Sequence, residues 1–322
     1  MKKKTIVSLF DGMSCGQIAL SQLLKGEEYT WLSSEICKPS INVTQKNFPL
    51  TIQLGDVRKI TLKILNRFSD DVWMVMGGSP CTDFSMAGSR NGMSIGNIEV
   101  TSLKQYLQLK KEGVVFDTKS QSYLFWEFVR FVKMTNPKYF FLENVLMKGR
   151  NKKWEYVISK ELGVEPIYIN SGVFTGQNRE RLYWTNIPIH SLDIPQRKLK
   201  HCSDIIPNAV GGSGNRGKYK NPDGTWFRQW STRTDGLINC LTKSSGCRYV
   251  TLTDGTRRPL TIEECEQFQG VPVGYTEAVG VTKKDRYDML GNGWTVDVIK
   301  ELFTFIPELE NSKHLFWSTE KN

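Results

Sequence analysis

The chain has 322 residues, 39% hydrophobic and 24% charged, with 43 Lys and Arg against 33 Asp and Glu for a formal net charge of +10. That composition describes a folded chain of one large domain or two unequal ones and excludes disordered and fibrous classes; no apolar run approaches the ~18 residues of a membrane span. The cationic excess favours a polyanionic partner such as nucleic acid.

Residues 5–10, "TIVSLF", read as a buried strand ending in a glycine-containing turn, with "GQIALSQLLKG" following as a helix. "YTWLSSE" is a second strand, then a helical stretch runs to Phe48; "TIQLGD" is a third strand and "DVWMVMGGSP" a fourth, with "ITLKILNRF" between them. The alternation continues through the helix "SYLFWEFVRFVKMTN", the strand "PKYFFLENV", the helix "NKKWEYVISKELG" and the strand "EPIYINSGVF". This predicts an α/β fold, doubly wound, with a mostly parallel sheet covered by helices on both faces. Residues 190–258 break the rhythm with "GGSGNRGKYKNPDGTW" and short β-prone runs, and read as a small irregular unit inserted into the sheet domain. Residues 261–275 and 285–306 return to helical patterns, and 307–322 read as a loosely packed tail. The expected division is 1–189 with 259–322, and 190–258 between them.

The cysteines, at 15, 37, 81, 202, 240, 247 and 265, are never spaced C-x-x-C, and there are three histidines. No metal cluster or disulfide framework is expected from them. "MKKKTIVSLFDG" lacks a cleavable signal pattern, so the expected location is intracellular, cytoplasmic in a bacterial or phage setting.

Six strand ends carry candidate chemistry. "SLFDGMSCG" turns sharply after the first strand with small residues, without the G-x-G-x-x-G fingerprint, which disfavours NAD or FAD. Glu35 ends the second strand, where doubly wound folds place an acid on a ribose hydroxyl, and Asp56 ends the third, where it suits an adenine amino group. These suggest a nucleoside-containing cofactor at the carboxyl edge of the sheet. "GGSPC" follows the fourth strand, its glycines permitting close backbone approach and its proline stiffening the way to Cys81. With no histidine nearby, a protease-like pair is weakly supported; the alternative is a nucleophile whose target is activated by a carboxylic acid. Glu143 in "FFLENV" ends an apolar strand, where desolvation favours a neutral acid able to donate a proton, and Asn144 is placed to fix the loop. Arg179 and Arg181 in "TGQNRERLYW" lie at i and i+2 and so share a side of an extended segment. Taken singly, each of these has an ordinary reading as a tight turn, a cap or a solvated edge.

In order and spacing, "SLFDGMSCG", "GGSPCTDFS", "FLENV", "QNRERLYW", "LTIEECEQFQGVPVGY" and "LGNGWTVDVI" resemble the DNA cytosine-C5 methyltransferases. The resemblance covers about 1–190 and 258–306, leaving a variable target-recognition region between; the short recognition region and the tryptophan of "GNGWTV" look closer to phage enzymes and the animal de novo DNA methyltransferases. It implies the fold of the S-adenosylmethionine-dependent methyltransferases and a covalent mechanism. In that mechanism Cys81 adds to cytosine C6, Glu143 bonds N3 and the exocyclic amine, Arg181 binds O2 and Arg179 supports the site. The base must be flipped out of duplex DNA. By the same resemblance the S-adenosylmethionine pocket comprises Phe10, Asp11, Gly12, Met13, Ser14, Cys15, Gly16, Glu35, Ile36, Asp56, Val57, Pro80, Asn292, Gly293 and Trp294. The helix after "LGNGW" would pack beside the first strand. Ser85, Arg90, Arg216, Arg228, Arg233, Lys243 and Arg248 are candidate contacts to double-stranded DNA. The segment 94–119 is extra relative to the family pattern. Two rivals stand beside this reading: a transfer RNA cytosine-C5 methyltransferase of the same family, and an inactive DNA-binding partner subunit, which retention of Cys81, Glu143 and both arginines disfavours.

Overall fold

The structure is a computed structural model, and it describes residues 3–24, 28–69, 71–80, 93–95, 98–114, 121–189 and 199–312. In chain order, β1 (Lys4–Leu9), α1 (Cys15–Leu24), β2 (Tyr29–Ser34), α2 (Lys38–Asn47), β3 (Ile52–Gln53), α3 (Leu62–Leu65) and β4 (Met74–Gly77) follow the expected alternation. A short hairpin, β5 (Ser94–Ile95) and β6 (Ile98–Glu99), and α4 (Leu103–Lys111) precede α5 (Phe125–Thr135). Then come β7 (Tyr139–Val145), α6 (Lys152–Leu162), β8 (Ile167–Asn170), α7 (Gly172–Thr175) and β9 (Glu180–Thr185).

These strands form a seven-stranded sheet of order β3-β2-β1-β4-β7-β9-β8. Pairings from β3 to β7 are parallel, whereas β9 runs antiparallel to both β7 and β8. The reversal puts the beginning of β9, with Arg181 in it and Arg179 just before it, at the edge where the parallel strands end. Alternate residues of β1 serve two cores, Ile6 joining α1 and the C-terminal helices, Val7 and Leu9 joining the α4–α6 side. Both faces are covered, so the strands are largely buried, with small polar residues such as Thr5, Ser8 and Ser33 buried among the apolar ones.

The segment 94–119 is partly integral rather than a loop decoration. Ser102 caps α4 through the Gln105 amide, and Tyr106 and Leu109 are buried. Inside this packing the fully buried Glu127 accepts from the Tyr106 hydroxyl at 2.6 Å, Lys110 at 2.7 Å and Arg130 at 2.6 Å. A buried carboxylate held by two cations and a phenol satisfies the demand for pairing and ties the extra helix to α5.

The region between the two halves is also more regular than its composition suggests. β10 (Ala209–Lys220), β11 (Trp226–Thr232), β12 (Tyr249–Leu252) and β13 (Arg257–Pro259) form an antiparallel sheet of order β11-β10-β12-β13. Its glycines permit backbone approach: a Cβ on Gly212 would stand 2.4 Å from the Asn239 amide nitrogen. Glycine signalled irregularity in sequence, where the structure uses it to seat a strand against neighbouring backbone.

Helices α8 (Ile262–Phe268), α9 (Lys283–Asn292) and α10 (Val296–Phe303) return to the first sheet. α8 and α9 open with capping boxes from Thr261 and Thr282. α10 packs on α1, in one core with Ile6 of β1, and Phe303 meets Phe141 edge-on at 5.0 Å. The expected loose tail begins later than predicted: Leu309 is buried, and Glu308 bonds Lys138 and the Tyr139 hydroxyl. No helix among the described residues is long and apolar enough to cross a membrane.

Candidate active site

The turn after β1 is built on unusual backbone. Phe10, Gly12 and Ser14 have φ of 56°, 57° and 61°, and left-handed conformations at two non-glycine residues cost about 1–3 kcal/mol each. Ser8 and Ser14 hydroxyls both donate to the Asp11 carboxylate, which fixes the turn. Burial pushes the Asp11 carboxyl up to about 6 despite those bonds. A Cβ on Gly12 would meet nothing within 4 Å, so the turn opens onto free space. Met13 and Cys15 face the other way and are buried; burial pushes the Cys15 thiol up to about 12.

Glu35 closes the same space. Its carboxylate accepts from the Gly12 amide at 2.8 Å and from the Ile36 and Cys37 amides at 2.7 Å each. A carboxylate offers roughly four lone-pair positions, so capacity for one further donor remains. Ile36 beside it is 69% exposed, an apolar side chain left uncovered at the edge. Asp56 caps the turn starting at Val57 and is bound bidentately by Arg58, which holds its carboxyl below the usual range. Any ligand amine at Asp56 must share the carboxylate with that guanidinium.

The "GNGW" segment folds onto this turn. A Cβ on Gly293 would stand 2.8 Å from the Met13 terminal methyl and 3.3 Å from Cys15 Sγ, while Asn292 is exposed. Trp294 lies beside Gly16 and Gly78 and meets Phe141 edge-on at 5.6 Å. Phe10 and Trp294, both partly buried, thus flank the open edge with aromatic surface.

Glu143 occupies the end of β7, with Tyr183 of β9 opposite it in register and Arg181 opposite Val145. Glu143 is not held by burial alone: its Oε1 lies 2.8 Å from Arg181 Nε. Oε2 is the oxygen turned toward Gly78, 3.3 Å from where that residue's Cβ would be. Gly78 therefore has to be glycine for the loop after β4 to pass both Glu143 and the Trp294 indole. Asn144 holds that loop, donating to Ser79 Oγ at 3.1 Å, as its position beside Glu143 suggested. Pro80 is the last described residue of the loop; Cys81, Ser85 and Arg90 lie outside the described residues.

Arg179 has a different task from Arg181. It is 3% exposed, and its guanidinium donates to the carbonyls of Leu241 at 3.0 Å, Gly291 at 3.3 Å and Gly293 at 2.7 Å. It joins β9 to the "GNGW" segment and to the chain at 240–241. Two buried amides that sequence reasoning passed over do the same. Gln177 donates to Phe268 O at 2.9 Å and accepts from the Leu241 amide at 3.0 Å; Gln269 donates to Gly293 O at 3.1 Å. Both lie within quoted motifs, and nothing in one sequence distinguishes a buried glutamine from an exposed one.

Cys240 was also missed. Its sulfur lies 3.5 Å from Arg179 Nη1 and 3.9 Å from Arg181 Nη2, which also shows the two guanidinia on one side of the segment. Burial works to raise this thiol, but the two arginines outweigh burial and hold it below the ordinary range. Cys240 should therefore be alkylated by iodoacetamide with a midpoint below the ~8.5 of a free thiol. Peptide mass mapping across pH checks this, and a midpoint at or above that value would contradict the geometry.

Of the DNA-contact candidates, Arg216, Arg228 and Lys243 are exposed. Arg233 is engaged bidentately by Asp235, and Arg248 lies over the Tyr287 ring at 4.0 Å. Those two are committed to internal contacts. Among the described residues no group of three or more His, Cys, Asp or Glu is arranged to hold a metal.

Comparison with known proteins agrees with this arrangement. A family model described as C-5 cytosine-specific DNA methylase matches residues 4–99, 110–191 and 178–308. The orphan methyltransferase M.SPRI of Bacillus phage SPR is 31% identical over 193 residues, 57% of this chain and 37% of that protein. M.SPBetaI of Bacillus phage SPbeta is 30% identical over 203 residues, 57% of this chain and 44% of that protein. The matched part is thus less than half the length of these relatives. Among solved structures, a Spodoptera frugiperda DNMT2 mutant superposes with a TM-score of 0.62 at 17% identity, covering 94% of this chain and 99% of that one. A putative DNA modification methyltransferase of an E. coli prophage gives 0.60 at 15%, covering 96% and 100%; these two likenesses concern the fold. With the acid, the arginines and the left-handed turn meeting at one sheet edge, and with the match spanning most of its length, the chain belongs to the C-5 cytosine-specific DNA methylase family.

Proposed function

We propose that the protein is an S-adenosylmethionine-dependent methyltransferase acting at C5 of cytosine in double-stranded DNA. The observation that carries this reading is the Glu143–Arg181 pair, set against Gly78 three residues before Cys81. An acid, a guanidinium and the base of a cysteine-bearing loop converge where a flipped pyrimidine would present N3, O2 and C6.

The residues at the neighbouring edge suit the cofactor. The space over Gly12, the remaining acceptor capacity of Glu35, the exposed Ile36 and the Trp294 surface match ribose, amine and adenine groups. S-adenosylmethionine would supply a sulfonium-bound, electrophilic methyl group there. The protein's part begins with Cys81, whose thiolate forms a bond to C6 and moves ring electron density toward C5. Glu143 Oε1 is taken by Arg181, so Oε2 is left to hold a proton toward N3 and offset the charge developing on the ring. Arg181 orients O2. C5 takes the methyl group, the C5 proton leaves to a base, and the Sγ–C6 bond breaks to release 5-methylcytosine and the thiolate. Duplex stacking hides C5 and C6, so the cytosine is extruded first.

The test is mechanism-based. A duplex containing 5-fluorocytosine replaces the C5 proton with a fluorine that does not leave, so enzyme and cofactor should give a covalent adduct on Cys81, resolved by denaturing electrophoresis and peptide mapping. Absence of an adduct with wild type, or an undiminished adduct with Cys81→Ser, refutes the assignment. Parallel assays with tritiated cofactor on duplex DNA and on transfer RNA decide the substrate, and methyl transfer to RNA alone refutes the DNA reading.

A further inference from the structure

The turn that follows β3 has little backbone of its own to place it. β3 is two residues long and lies at the edge of the sheet, paired with β2, and the last ties to β2 are at Leu54 and Gly55. Beyond them Asp56 accepts from the Arg58 amide, and the bonds from Lys59 N to Asp56 O at 3.0 Å and from Ile60 N to Val57 O at 3.4 Å stay inside the turn. The turn is located from α5 instead. Arg130 Nη2 donates to Val57 O at 3.0 Å and Nη1 to Ile60 O at 3.1 Å, so one guanidinium bridges the segment.

That guanidinium is aimed by its third nitrogen, since Arg130 Nε donates to Glu127 Oε2 at 2.6 Å. The other oxygen of the same carboxylate, Oε1, faces α4. It accepts from the Tyr106 hydroxyl at 2.6 Å and from Lys110 at 2.7 Å, two residues four apart and so on one helix face. A second route runs beside the first. The Tyr106 ring lies 6.4 Å from the Tyr123 ring, and the Arg58 guanidinium that grips Asp56 also donates to the Tyr123 hydroxyl. Both routes start in the extra segment 94–119 and end on Asp56 and Val57. Val57 and Ile60 already share an apolar core with Tyr106 and Leu109. What the buried carboxylate adds to that contact is direction, because an arginine fork held at Nε presents its other two nitrogens in a fixed plane.

We propose that α4 and Arg130 form a positioning network for the adenine side of the cofactor pocket: Tyr106 and Lys110 fix Glu127, Glu127 aims Arg130, and Arg130 sets where Asp56 and Val57 meet the base. This rests on the S-adenosylmethionine reading above. These four residues act on the reaction through the turn.

Two variants of the full chain test the network from its two ends. Arg130→Lys keeps a cation for Glu127 but replaces the fork that reaches both carbonyls. Tyr106→Phe combined with Lys110→Met removes both donors to Oε1 and keeps the ring contact; it decides alone if the melting curve shows Arg130→Lys to be unfolded. Isothermal titration with S-adenosylhomocysteine, and with S-inosylhomocysteine, which has an oxygen in place of the adenine amino group, reads affinity and base discrimination. Single-turnover methylation at saturating S-adenosylmethionine reads the chemical step. Arg130→Lys should bind S-adenosylhomocysteine about tenfold more weakly, and the double variant about threefold. In both, the preference for the adenosine compound over the inosine compound should shrink, with the single-turnover rate within about twofold of wild type. A merely structural role would lower the melting temperature and leave that preference at its wild-type value, and this result overturns the network. Wild-type affinity and preference in a folded double variant overturn it equally, because α4 then has no hold on the turn. A wild-type protein that binds no S-adenosyl compound overturns the methyltransferase reading instead, and the cofactor role of the turn with it.

Discussion

Arg179→Ala should lower the melting temperature by roughly 6–12 °C and abolish methyl transfer with it. The guanidinium is buried and supplies donors to three carbonyls on two separate segments, at Leu241, Gly291 and Gly293. Alanine removes the guanidinium from those oxygens, leaving Gly293 O its bond from Gln269 and Leu241 O only the weak Cys240 thiol donor; at about 1–3 kcal/mol for each carbonyl left short of a donor before relaxation, a net loss of about 3 kcal/mol is expected. No nearby backbone is free to move in: Gly291 is already so close that a Cβ there would lie 2.5 Å from Thr242 C. Arg179→Lys keeps the charge but replaces a five-donor fork with a three-donor point, so it should recover less than half of the stability. Calorimetry of the three proteins checks the order. A melting temperature for the alanine variant within ~2 °C of wild type would mean the carbonyls find water, and that the three segments do not depend on this side chain.

The parts of this site that sequence revealed are those that chemistry marks locally. A glycine-rich turn after an apolar strand, acids at the ends of the next two strands, and Glu143 after "YFFL" all sit where alternation placed them. What stayed hidden depends on contacts between distant segments. The reversal of β9 has no signature in "ERLYWT", because antiparallel and parallel strands with both faces buried look alike in composition. That reversal is nonetheless what brings Arg181 to Glu143. Cys240 gave no signal because its distinction comes from Arg179 and Arg181, about sixty positions earlier in the chain. The four-stranded sheet of the second unit was obscured by its own glycines, which read as loop-formers when no facing backbone is in view. Likewise α4 shows only a modest apolar stripe, and its anchor is the buried carboxylate of Glu127 on the following helix.

Glu143 and Arg181 should behave as one unit in catalysis, because they share a contact at 2.8 Å within a site where neither is more than slightly exposed. On the proposed mechanism Glu143→Gln takes away the group that would offset charge on the ring, and a fall in kcat on the order of 10²–10⁴ is expected. Arg181→Ala should cost a comparable factor by a different route, since it frees Oε1 and lets Oε2 turn from its place beside Gly78. The double variant is then expected within about tenfold of the worse single one, because residues that act together are not additive. Single-turnover methylation of a saturating duplex measures all four rates without interference from product release. Additive losses would separate the two residues, leaving Arg181 a binding group for O2 and Glu143 an independent acid. The 5-fluorocytosine trap sharpens the distinction, because stalling after addition to C6 requires that addition to occur. A Glu143→Gln protein that accumulates adduct at the wild-type rate would place the acid after the Sγ–C6 bond forms, and one that accumulates none would place it before.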